Sequence, residues 1–203
     1  MKVTTLAALL LAYCILVACT RTSPNAQLVQ ADSLMQKSPD SALHFLEKIY
    51  PEKLKSLEDQ AYYALLVTQA QDKNYIFQEN DSLIRVAVQY YDSIKSTSMQ
   101  AKAHYYWGCI WRNREIYPQA LSRFFTAISY AQKTSDHKLT GYIYNNIANL
   151  YFLQKLYEQA DSIYQITEEI AIQEKDSGLW ADALSQRGMI AIDRGKEYYH
   201  EAE

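Results

Sequence analysis

Four histidines, three cysteines and 23 acidic side chains are the residues of this 203-residue chain best suited to chemistry, and their spacing equips almost none of them for it. His44, His104, His137 and His200 have no His or Cys neighbour at ligand spacing, which argues against a built metal site. There is no glycine-rich phosphate loop, no Gly-x-Ser-x-Gly elbow and no Cys/His pair at a nucleophile's spacing. Glu168 and Glu169 have nothing beside them to separate their pKa values, so they read as a solvated helix surface rather than as an acid and a base. No catalysis, cofactor or metal is therefore expected. The side chains that remain are amides. Asn145 and Asn149, four residues apart, share one face of a helix, and each offers a donor and an acceptor to a peptide backbone. Asparagine is a poor helix former that an exposed helix has no reason to prefer, which favours a binding role.

The element that carries this pair is one copy of a repeat. Trp107, Gly108, Trp111, Tyr117, Ala120, Phe124 and Ala127 are answered, at a constant offset of 40 in the numbering, by Ile147, Ala148, Tyr151, Tyr157, Ala160, Tyr164 and Thr167. Within each unit, apolar residues recur at helical spacing through two stretches of about 15 residues parted by a short polar turn, so each unit is a helix–turn–helix. A glycine inside a helix costs about 1 kcal/mol relative to alanine, and close approach of a partner helix at Gly108 offsets it. One period further on, Ala181, Leu184, Gly188 and Gly195 give another first helix over 179–194, its second helix barely begun at Glu203. One period back lies a weaker copy containing Ala61, Ala64, Val67, Thr68, Ile84 and Ala87, with Asp81-Ser82 available as a cap. Before that, the cap Ser38 and Pro39 start a helix reaching about Ile49, with 27–36 as its partner. The count is four pairs and the start of a fifth.

This pattern resembles the tetratricopeptide (TPR) repeat over roughly residues 25–203, most specifically in the two central units. The resemblance implies an all-α fold, a right-handed superhelical solenoid of antiparallel helix pairs. The period exceeds the family's usual length of about 34 residues, and longer helices and turns absorb the difference. The resemblance also implies that the first helices of successive pairs line a concave groove that binds a peptide. Carried over by register, that face presents Tyr62, Leu65 and Gln69, then Lys102, Tyr105, Cys109, Arg112 and Asn113, then Tyr142, Asn145, Asn149 and Phe152, then Asp182, Ser185 and Met189. TPRs that clamp carboxylates use Lys and Arg beside the Asn residues, whereas this chain has Tyr105 and Cys109 or Ser185 and Met189 there, so that activity is not implied.

The amino terminus is a second signal. Met1-Lys2 precedes an uncharged run over 6–18 that closes in Leu16-Val17-Ala18-Cys19. This resembles a bacterial lipobox, which implies cleavage after residue 18 and a lipidated Cys19. Residues 19–27 then form a polar tether, and 28–203 the repeat domain. The apolar run falls short of the roughly 18 to 20 residues needed to cross a bilayer. The expected location is the cell envelope, as a membrane-anchored periplasmic or outer-membrane lipoprotein.

Without Lys2 the mature chain carries 19 basic and 23 acidic side chains, a net charge near −4, and no basic stripe appears, so nucleic acid is not an expected partner. Once Cys14 leaves and Cys19 is acylated, Cys109 is the one thiol left, without a cysteine to resolve it, and it reads as a small packing residue. The expected function is a membrane-tethered scaffold that binds a protein or peptide through its groove, with self-association possible through the open carboxyl end. Two alternatives remain open: the sensor region of a longer signalling protein, and a glycan-binding lipoprotein that uses some of the 18 tyrosines for stacking.

Overall fold

The computed structural model describes residues 25–201, and within them every element is helical. The helices are α1 (Ala26–Leu34), α2 (Pro39–Leu46), α3 (Leu57–Lys73), α4 (Ser82–Ser93), α5 (Thr97–Asn113), α6 (Tyr117–Ala131), α7 (His137–Leu153), α8 (Tyr157–Gln173) and α9 (Ser177–Glu201), with a 3-10 turn at Pro51–Lys53. Cys19, the signal segment and residues 20–24 of the tether lie outside the described residues.

The sequence period governs the backbone itself. Helices α3, α5 and α7 each have 17 residues and start at Leu57, Thr97 and His137, and α9 starts at Ser177. Their ends are built alike. Tyr75, Lys95, Glu115, Lys155 and Lys175 adopt φ of 54–59° just past a helix end, and the next residue's N–H reaches back five residues, as from Ile116 to the Trp111 carbonyl and from Leu156 to that of Tyr151. This closure satisfies carbonyls that a helix end would otherwise leave bare. After α5 and α7 it turns the chain in three residues, and α6 and α8 begin at Tyr117 and Tyr157.

The first copy departs from this plan. Phe77 stands one period before Tyr117, yet α4 does not begin until Ser82. Asn80 explains the delay: its side-chain oxygen accepts from both the Ser82 amide and the Ser82 hydroxyl, a local turn that competes with an earlier helix start. The turn between α3 and α4 is correspondingly longer, and within it Tyr75 is 86 % and Phe77 67 % exposed.

Each helix packs against its neighbour in the chain, and α1 meets α3, α3 meets α5, and α7 meets α9. The seams are close. Phe124 and Tyr164 are fully buried at matched positions, and a methyl on Gly108 would lie 2.5 Å from two Phe124 ring carbons. Cys109 is buried in this core, where burial pushes its thiol well above the usual range. His104 is buried too, stacked between Trp107 and Tyr130. An open apolar end is expected around Met189, Ile190 and Ile192; Met189 and Ile192 are exposed, as are Trp180 and Leu184, whereas Ile190 is buried. The helix also runs on to Glu201, where a turn into a second helix was expected.

Candidate functional site

The polar side chains that meet where the odd-numbered helices run side by side mostly hold those helices together. Asp32 on α1 accepts from the Tyr62 hydroxyl of α3 at 2.7 Å and lies 3.6 Å from Lys102 Nζ of α5. Asp72 on α3 receives Arg112 of α5 at 3.0 Å, and Arg112 also donates to Asn146 of α7 and to its neighbour Asn113. Asn145 donates from Nδ2 to Asp182 of α9 at 2.6 Å. Asp176, just ahead of α9, accepts from Lys138, the Tyr142 hydroxyl and the Leu179 amide, at 2.9, 2.9 and 3.1 Å. Burial disfavours that carboxylate's charge, and these donors outweigh it and hold Asp176 below the usual carboxylate range. The odd helices are thus laced by ion pairs and charge-assisted hydrogen bonds, which are stronger than neutral ones.

The lacing borders a cleft of ≈ 630 Å³. Arg112, Asn113, Tyr142, Asn145, Asn149 and Asp182 line it, six of the fifteen residues expected on the groove face. Tyr105 and Phe152, expected beside them, do not join them. Tyr105 is buried, its ring edge-on to Tyr106 at 4.9 Å, and it lines a neighbouring cleft. Phe152 packs on Tyr157 with ring centroids 5.8 Å apart, because it takes part in the contact between α7 and α8.

The amide pair is also less free than its spacing implied. Asn149 Oδ1 accepts the Tyr164 hydroxyl of α8, and Asn145 is 7 % exposed with its Nδ2 on Asp182. Its Oδ1 is different: it is buried with no hydrogen-bond partner. Sequence reasoning missed Asp72, Lys73, Asn146, Tyr75 and Phe77, which help to complete the lining. Asp72 was discoverable, since it stands one period before Arg112 with the opposite charge. Tyr75 and Phe77 were not, because both fall in the turn between two helices, where no packing pattern marks them. Among the described residues no group of His, Cys, Asp and Glu could hold a metal ion.

Among solved structures, the chain is similar to the crystal structure of BtubC (BKLC) from P. vanneervenii, with a TM-score of 0.59 at 14 % sequence identity, over 87 % of this chain and 70 % of that one. The likeness is one of fold alone. No family model matches the chain, and no curated protein does.

Proposed function

We propose that this chain is a TPR-like scaffold, a right-handed superhelical solenoid tethered to the cell envelope through lipidated Cys19, that binds an extended peptide segment of a partner protein along its odd-numbered helices. It performs no catalysis. The observation that carries the reading is the Asn145 side chain. Its donor is committed to Asp182, while its acceptor is buried beside an open cleft without a partner. An unmet buried acceptor costs about 1–3 kcal/mol, and a peptide N–H entering the cleft removes that cost. Tyr75 and Phe77 at the rim add apolar area that the fold itself leaves in water, the kind of anchor that dominates binding energy.

One observation favours a second reading. Exposed rings beside planar amides also suit a glycan, which stacks on the former and hydrogen-bonds the latter. A photocrosslinking residue separates the readings. Placed at Phe77 in the native envelope, it is expected to capture a protease-sensitive partner, whereas the same group at Phe125, exposed on α6, captures none. Glycan adducts at residue 77 would favour the second reading, and equal protein capture from both positions would remove the cleft from the account.

A further inference from the structure

Where α3, α5 and α7 approach one another, three lysines converge. Lys73, Lys102 and Lys138 line a cleft of ≈ 260 Å³ that adjoins the first and shares Asp72, Lys73 and Tyr142 with it. Two of the three are committed, Lys102 to Asp32 at 3.6 Å and Lys138 to Asp176 at 2.9 Å. The carboxylates in the lining are committed as well. Asp72 holds Arg112, and Asp136, exposed at the rim, accepts the Leu139 amide as a helix cap. Lys73 has no carboxylate within ion-pair distance among the described residues, and its ammonium meets Gln36 Oε1 at 3.4 Å. Burial pulls this ammonium below the usual lysine range. Asp72 and Asp176 work against that effect, and Lys102 and Lys138 add to it.

The second observation comes from the same helix face. Gln69, four residues before Lys73, is 1 % exposed and lines the same cleft, and its Oε1 has no hydrogen-bond partner. Residues at this spacing sit one above the other. A half-buried cation without a counter-ion and a buried acceptor without a donor both cost stability, and an acidic peptide residue supplies what each lacks.

We infer that this cleft selects an acidic residue in the bound peptide, its carboxylate on Lys73 Nζ and a peptide N–H on Gln69 Oε1. The inference rests on the peptide-binding reading above. The mature chain is tested by fluorescence polarisation against degenerate short-peptide pools that differ only in a fixed central Glu, Gln or Lys. The Glu pool is expected to bind about tenfold or more tightly than the Gln pool, and the Lys pool weakest. Lys73→Met abolishes the preference and Lys73→Arg keeps it. Because Lys73→Met removes an uncompensated charge, its thermal midpoint stays level or rises. Equal binding of Glu and Gln pools would overturn acid selection and leave peptide binding standing. Binding of no pool would overturn both. A preference that survives Lys73→Met, or a large loss of thermal stability in that variant, would show that Lys73 serves the fold instead.

Discussion

Gly108 and Gly188 stand at the same place in the repeat, two periods apart, and the same methyl added to each has opposite expected effects. At Gly108 it meets the buried Phe124 ring at 2.5 Å, whereas at Gly188 it meets nothing within 4 Å. Gly108→Ala is therefore expected to destabilise by about 1–3 kcal/mol through overpacking. Gly188→Ala is expected to stabilise by up to about 1 kcal/mol, since helix propensity alone is at work. Chemical denaturation of the two variants checks the pair, and a neutral Gly108→Ala would contradict the packed seam. The Gly108 contact was legible in the sequence because a helix-interior glycine needs a reason and a matched aromatic, Phe124, follows it on the next helix. The Asn145 and Asn149 amides were legible only as a shared face. What each amide bonds depends on Asp182 and Tyr164 from two other helices, and spacing within one helix carries no information about them.

The turns are the elements that set the repeat, and they do so at a cost. Five residues other than glycine hold a left-handed backbone, a conformation that crowds their Cβ against the chain by roughly 1–2 kcal/mol. Lys155, exposed between α7 and α8, tests this cleanly. Lys155→Gly removes the crowding and keeps the Leu156 to Tyr151 hydrogen bond, so thermal melting should show a stabilisation of about 0.5–1 kcal/mol after glycine's greater chain entropy is counted. A loss of stability would mean that the Lys155 side chain does more than occupy the turn. These closures were hidden in the sequence because the usual glycine marker is missing from all five. The start of α4 at Ser82 was legible, since Asp81-Ser82 offers a helix cap, but the Asp81 side chain makes no cap hydrogen bond and Asn80 accepts from the Ser82 amide instead. The spacing of 40 between the odd helices was legible from the apolar positions, whereas their first residues were not: the last of them was expected at about residue 179 and begins at Ser177.

At the scale of the molecule, the odd helices run side by side under a lacing of Asp32, Asp72, Asp176 and Asp182, and the clefts open where that lacing leaves Asn145 Oδ1 and Gln69 Oε1 without a hydrogen-bond partner and Lys73 on Gln36 without a counter-ion. No helix among the described residues is long and apolar enough to cross a membrane. The exposed row of Trp180, Leu184, Met189 and Ile192 on α9 is an apolar face of the kind that promotes association. Repeat architecture at this scale was legible from two matched units, whereas the cleft was not, because it forms between helices a full period apart in the chain. The central claim is that the cleft beside Asn145 is where a partner peptide binds. Its most direct measurement is the affinity of the tightest peptide recovered from a degenerate pool for three forms of the mature chain: the parent, a rim variant carrying Tyr75→Asn and Phe77→Ser, and an α8 variant carrying Gln159→Ala and Ser162→Ala. Tyr75 and Phe77 line the cleft, Gln159 and Ser162 do not, and all four side chains are exposed, so the fold is expected to persist in each form. Burying an aromatic side chain is worth about 1.5–3 kcal/mol, so the rim variant should lose about tenfold or more in affinity while the α8 variant matches the parent. Equal affinity in all three forms would contradict the claim and move binding off this face.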